Sequence, residues 1–476
     1  MPAYQPRIAA LVTEVVSELG RRLAEVKELS QLEHLVREVG LRLARGVAEM
    51  VLESLDLLLS RQRPAGWREK DVRTRTLEST VGTLHLKRRR YRDAEGRWRY
   101  PLDEALKLAP QVQVTPALQR LMVEMSSQMP FEAASRLLRE LMPTAPARST
   151  LHRHLGRVGQ AFHQADERQR QEVFVAGKVP AGTRKVPVLM IEADGKWVRL
   201  QRTPGQRSLE VKLALAYEGW EREGLERWRL RDKQVYVSTG DAVEVWEGLS
   251  ARLAQHYDLS GTRVATAGDA AAWVKQGREH FQDAIWQLDR FHLARPLHRV
   301  LPEEAAVAAY RAACRGDLES VLEVVRQSSH PKAGEVATYL ANQRQGLLDY
   351  RRREGFADLE LRGMGATEGN IDKVLATRMG KRGMAWTPAG ARRMGKVLQA
   401  CRNDELERHL TATAPQRDRH AEEPAIRPLR RQAAAAISTR SDPQDWLRAS
   451  IATATGTDGF GPLLRRIARP AGFALN

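Results

Sequence analysis

The chain has 476 residues, 42% of them hydrophobic and spread along its length, so most of it should fold, into about three domains of ordinary size. Lys and Arg number 77 against 59 Asp and Glu, a formal charge of +18 that favours a polyanionic partner such as nucleic acid. Cys314 and Cys401 stand far apart and outside any Cys-x-x-Cys spacing, which excludes a disulfide framework and a cysteine zinc site. No run of about 20 apolar residues is present, and Glu14 and Glu18 interrupt the one leader-like segment; the expectation is no membrane partner and a cytoplasmic, chromosome-associated protein.

Residues 1–66 read as helices. Leu32, Leu35, Val36 and Val39, then Leu43, Val47, Met50 and Val51, recur at helical spacing, for a core or for self-association, until Pro64-Ala65-Gly66 breaks the pattern. Residues 67–110 predict a basic β-hairpin. Leu84 and Leu86 alternate with His85 and Lys87, and Asp93-Ala94-Glu95-Gly96 supplies a turn. The run Lys87, Arg88, Arg89, Arg90 is a candidate phosphate contact, or else an edge strand blunted by charge.

Residues 111–175 predict a helix-turn-helix-like unit. A first helix starts at Pro130-Phe131, Pro143 to Pro146 force a turn, and a second helix is capped by Ser149. The first residues of such a second helix reach base edges, so Arg148, Thr150, His152 and Arg153 are candidate DNA contacts; ordinary helix packing is the plainer account.

Residues 184–400 change character. VPVLMIEAD, KWVRLQR and EVKLALAYEGW predict three consecutive strands, the first two joined tightly at Gly195. A helix over 242–257, the strand RVATAG, a helix over 271–281, the strand AIWQLD and another helix follow. That order predicts an α/β fold of the RNase H-like kind, with an α-helical insertion over about 293–365. Residues 405–476, punctuated by Pro415, Pro424, Pro428 and Pro443, read as a basic tail.

Acidic residues carry the chemistry. A carboxylate at the end of a buried strand is costly unless a metal or a proton uses it. Glu192 and Asp194 share one face of the first strand; Gly195, read as opening the strand end, favours Asp194. Asp269 ends RVATAGD, where a plain N-cap is the alternative. Asp289 and His292 form an Asp-x-x-His unit at a strand-to-helix passage, in which Asp289 would cap the helix or fix the histidine's tautomer. Glu368 lies in GATEGNIDKVLATRMGKR, whose Arg378, Lys381 and Arg382 would set cations beside a phosphate.

IEADGKWVRLQR, EVKLALAYEGWE, GDAAAWVKQG, QLDRFHL and GATEGNIDKVLATRMGKRGMAWT, in this order, resemble the blocks of ISLre-type insertion-sequence transposases, DDE enzymes distantly similar to Mutator-like transposases; the resemblance covers roughly residues 70–400. It implies a DDE triad at Asp194, Asp269 and Glu368 holding Mg²⁺, with Mn²⁺ as a substitute, and Asp289 and His292 in the family's C/D-x-x-H signature. Glu303, Glu304, Glu319 and Glu335 of the insertion are the other candidates for the third acid. Ala270 departs from the glycine expected after Gly-Asp. The implied function is binding of element ends, followed by cleavage and strand transfer on double-stranded DNA by a homo-oligomer assembled on it. A nuclease that cuts without joining, or a non-catalytic DNA-binding protein derived from a transposase, are the alternatives.

Overall fold

A computed structural model describes residues 4–110, 112–381, 383–407 and 410; Arg382 and nearly all of the basic tail over 405–476 lie outside the described residues. The chain divides into two compact units. One unit holds the described residues up to Leu121, Ser135–Ala147 and Leu410; the other holds Met122–Ala134 and the described residues over 148–407, so the division runs through two helices.

In the first unit, α1 (Tyr4–Leu23) and α2 (Leu29–Arg61) precede three antiparallel strands, β1 (Arg68–Ser79), β2 (Gly82–Arg92) and β3 (Trp98–Arg99), and the short α3 (Pro101–Ala105). The alternation read from the sequence holds: Leu84 and Leu86 turn inward and join Leu77, Leu59 of α2, and Leu102 and Ala105 of α3 in one apolar cluster. The hairpin gains a third strand because Asp93 closes its turn, accepting from the Arg97 amide at 2.8 Å and pairing with the Arg97 guanidinium at 2.9 Å.

The basic run does not form a free phosphate surface. Arg89 pairs with buried Asp56 of α2 at 2.7 Å, Arg90 with Asp71 of β1 at 2.7 Å, and Arg88 with Asp103, which also binds Arg75 at 2.8 Å. Lys87 stays mostly exposed, 3.6 Å from Glu53. Acids from neighbouring elements neutralise the strand: Arg89 ties the sheet to α2, Arg88 ties it to α3, and Arg90 ties β2 to β1.

Helices α4 (Pro116–Gln128) and α5 (Phe131–Leu141) straddle the division, and α6 (Arg148–Phe174) belongs wholly to the second unit. Its helix starts at Arg148, so Ser149 lies inside it rather than at its cap.

The second unit centres on a mixed sheet. Strand β4 (Val188–Leu200) pairs antiparallel with β5 (Ser208–Tyr217); a small hairpin of β6 (Trp220–Arg222) and β7 (Trp228–Leu230) follows, and β8 (Gln234–Ser238) pairs antiparallel with β5. After α7 (Ala242–Ala254), β9 (Arg263–Gly268) pairs parallel with β4. Then α8 (Ala272–Lys275), a 3₁₀ turn over Gln276–His280 and β10 (Ile285–Leu288), parallel to β9, complete the order β10-β9-β4-β5-β8. The two strands expected on either side of Gly195 are one strand, and the third of the meander is β8. Gly195 is no turn. Its missing side chain leaves room for Glu210 of β5, whose Oε1 would lie 2.1 Å from a Cβ there.

One face of the sheet packs Leu189, Ile191 and Ala193 against α7 and α8 through Val245, Trp246 and Val274. Beyond β10, α9 (Arg290–Val300), α10 (Glu303–Cys314), α11 (Leu318–Arg326), α12 (Ala333–Asn342) and α13 (Arg344–Leu347) make the expected helical insertion around their own apolar core. The chain returns through α14 (Thr367–Asn370), a π-helical stretch over Ile371–Gly380, β11 (Ala385–Trp386), which pairs with the far end of β4, and α15 (Pro388–Arg402). Among the described residues no helix is long and apolar enough to cross a membrane.

Asp103 is buried with two guanidinium groups, and removing it strands both cations in the interior. Asp103→Ala should therefore lose about 3–5 kcal/mol of stability in urea denaturation, whereas Glu95→Ala, at an exposed pair with Arg97, should change it by under about 1 kcal/mol.

Candidate active site

Three parallel strands bring three aspartates into one row. Ala193 of β4, Gly268 of β9 and Leu288 of β10 stand on a common rung, and the next residue on each chain is Asp194, Asp269 or Asp289. Neighbouring strands lie about 4.8 Å apart, so segments distant in sequence deliver carboxyl groups to one edge. The Asp289 amide closes the row by donating to the Gly268 carbonyl at 2.7 Å. Along this side of β4, β9 covers residues 188–193 and β11 covers 199–200; Asp194 to Val198 face a notch between them. Asp194 thus sits inside a continuing strand, not at its end, and the carboxyl ends of β9 and β10 open beside it.

Burial raises the Asp194 carboxyl to about 6; the Gly195 amide, donating to its Oδ1 at 2.6 Å, works against the rise, Asp269 adds to it, His292 opposes it and Glu368 adds again. Three of the residues predicted around Asp194, namely Asp269, His292 and Glu368, therefore act on its charge. Asp269 accepts from the Ala271 amide at 3.0 Å in a tight turn, while Ala271 itself occupies the N-cap of α8. Asp289 is buried and caps α9, accepting from the Phe291 and His292 amides at 2.9 and 3.3 Å; its bonds go to backbone, not to the His292 ring. Ala270 packs against the core of the insertion.

Glu192, which alternation alone does not separate from the preferred Asp194, has a structural role. Fully buried, it accepts from the Tyr217 hydroxyl at 2.5 Å, from the amides of Gly365, Ala366 and Thr367 at 3.1 Å each, and from the Thr367 hydroxyl at 2.6 Å. These bonds fasten the 365–367 segment to the strand face that Asp194 shares, and Glu368 is the next residue. Period-two alternation put Glu192 and Asp194 on one face but carried no signal for the distant loop. Of the insertion's glutamates, Glu303 pairs with His298 and Glu319 with Arg344.

The predicted cations divide. Arg378 is buried, donates to the Ser126 carbonyl at 2.7 Å and lies 5.2 Å from each of the Phe131 and Trp386 ring centres; burial pushes its guanidinium down to about 10. It is a packing residue and no phosphate contact. Lys381 is exposed and pairs with Asp372 at 2.8 Å. On α6, Arg148, His152 and Arg153 are exposed and Thr150 half-buried, with Arg157 one turn further on; His152 packs edge-on against Phe131 at 5.2 Å.

Among the described residues no three His, Cys, Asp or Glu side chains gather closely enough to hold one metal ion by themselves. The donor set still fits a hard cation: its oxygens repel one another, and Mg²⁺ takes only one or two protein carboxylates, completing its shell with water and phosphate oxygens.

Two residues apart on one strand, Glu192 and Asp194 should respond oppositely to neutralisation. Glu192→Gln turns an acceptor into a donor against donors; it should cost about 1–3 kcal/mol and speed amide hydrogen exchange over 364–372. Asp194 has a folded pKa above its unfolded value, so its ionisation destabilises the fold as pH rises through that interval. In chelator, Asp194→Asn should raise the melting temperature at pH 8 and leave it nearly unchanged at pH 4.

The profile of the uncharacterised protein family UPF0236 matches residues 22–413. A UPF0236 protein of Caldanaerobacter subterraneus subsp. tengcongensis is 24% identical over 405 residues, 82% of this chain and 81% of the relative. Another from that strain, whose name joins eleven locus designations, is 23% identical over 390 residues, 79% of this chain and 78% of its own. The "UPF0236 protein in vanSb 3′ region" of Streptococcus gallolyticus is 24% identical over 417 residues, 84% and 89% of the two chains. With most of its length matched by that profile, the chain belongs to the UPF0236 family.

Proposed function

We propose that this protein is the DNA transposase of an insertion sequence, acting through Asp194, Asp269 and Glu368. The row of aspartates on one rung, with Glu368 fastened beside it through Glu192, is the observation that carries the reading. The sheet order β10-β9-β4-β5-β8, with β5 alone running against the rest, supports an RNase H-like catalytic domain. A second support comes from the relatives: a name that joins eleven loci of one strain is what a sequence that spreads within a genome would leave.

Mg²⁺, or Mn²⁺ in its place, would be held by Asp194 and Asp269, with Glu368 completing a second position, and would supply a neutralised phosphate and a more acidic water. The chain's own groups set the geometry. The β4–β9 ladder fixes Asp194 against Asp269, Glu192 fixes the segment that leads into Glu368, and the Asp289 cap orients the start of α9, which carries His292. Water attacks the phosphodiester at the element end and the 3′-oxygen leaves; that 3′-hydroxyl then attacks target DNA, displacing a second 3′-oxygen. Duplex DNA is the partner, and holding two ends together calls for more than one copy of the chain.

On DNA carrying the ends of its own element, Asp269→Asn should lower divalent-cation-dependent cleavage by at least about 10³-fold, the scale of losing a group that stabilises transition-state charge, while end binding in a gel shift stays within about twofold, a change under about 0.5 kcal/mol. Cleavage that persists in this variant would remove Asp269 from the reaction. Products joined to target DNA separate a transposase from a nuclease that only cuts.

A further inference from the structure

Helix α6 has two ends with different surroundings. Its first turns carry exposed Arg148, His152, Arg153 and Arg157. His154, between them, is turned inward; burial first, then Arg157 and Arg153, push it down to about 4, so it adds no charge. The second half of the helix is bolted to the sheet. At Gly159 the helix approaches α15 so closely that a Cβ would lie 2.2 Å from the Arg393 carbonyl oxygen.

One helical turn or two further on, Asp166 accepts from the Lys396 ammonium at 2.6 Å and from the Gln399 amide at 2.9 Å. Lys396 is almost wholly buried and lies 3.9 Å from the centre of the Tyr236 ring of β8. The side-chain Oε1 of Gln399 accepts from the Val237 amide of the same strand at 2.9 Å. Burial favours the neutral Asp166, yet Lys396 more than offsets it and holds the carboxyl below its usual range. On the other side, Gln169 donates to the Ala251 carbonyl of α7 at 2.6 Å, and Arg170 pairs with Glu247 at 2.6 Å. Strand β8 pairs with β5, and β5 with the strand carrying Asp194.

We propose that α6 is a ruler: duplex DNA seated on its first turns is held at a fixed distance from the aspartate row, so the phosphate that is cut is chosen by where α6 binds. The inference rests on the transposase reading and adds to it Gly159, Asp166, Lys396 and Gln399 as positioning residues. From Arg153 to Asp166 the helix rises roughly 20 Å at 1.5 Å per residue, a span with no break in it. A recognition element on a separate tethered domain would let the cut wander or take its place from the terminal bases themselves. A helix fixed at its far end by a buried ion pair and a backbone contact does not allow this.

The test uses the full chain and duplexes carrying the element end, in which the segment footprinted by the protein is moved by single base pairs relative to the element's terminal junction. The cut should move in step with the segment; a cut that stays at the original junction would overturn the proposal. Asp166→Leu combined with Lys396→Met removes both buried charges rather than stranding one, which keeps the core filled. This variant should keep its footprint while its cuts spread to neighbouring phosphates, and a single unshifted cut would show that the ion pair sets no register. Arg153→Ala should weaken end binding about tenfold, as loss of one direct base contact does; undiminished binding would show that DNA does not sit on α6. Failure of the transposase reading shows separately, as cleavage undisturbed in Asp269→Asn.

Discussion

A carboxylate that is fully buried without a cation beside it must find enough donors to replace water, and in this chain that demand falls on Glu192. Transfer of an unpaired carboxylate to the interior is prohibitive. Glu192 meets it with the Tyr217 hydroxyl and the backbone of 365–367, so β4 and a segment far along the chain cannot separate without exposing donors and acceptor together. The position of Glu368 follows from this, as does the start of the helix that carries it. That helix continues in π-helical form over Ile371–Gly380, a rare geometry that is frequent at functional sites.

The neighbouring face shows the opposite condition. Asp194 has one backbone donor and the pull of His292 against burial and two other acids, and among the described residues no arginine or lysine is paired with it. Evolved structures keep such uncompensated charge where a ligand completes it, at a cost in stability to the empty protein. On one strand face, then, Glu192 has both oxygens filled by donors while Asp194 has one backbone donor.

The cations follow a similar division. Arg88, Arg89 and Arg90 lie where Asp103, Asp56 and Asp71 can reach them, and each is neutralised inside its own unit. Arg378 is enclosed by Phe131 and Trp386. Net charge says how much positive surface a chain must carry but not where. Arg148, His152, Arg153 and Arg157 are exposed on the first turns of α6, and these belong to the same compact unit as the aspartate row.

The sequence by itself determined the elements and most of their order. Alternation found β2 and its buried leucines, helical spacing found α1 and α2 and the insertion, and the apolar runs found β4, β9 and β10 with an aspartate close behind the buried stretch of each. These are local signals, because side-chain direction repeats every two or 3.6 residues. Only the tertiary structure decided which acids meet. The continuity of β4 through Gly195 depends on Glu210 of a neighbouring strand lying over the glycine. The shared rung of Asp194, Asp269 and Asp289 depends on ladder register, and the choice between Glu192 and Asp194 depends on a loop 173 residues away. Register and long-range hydrogen bonding are properties of paired segments, and no window along a single chain contains both partners.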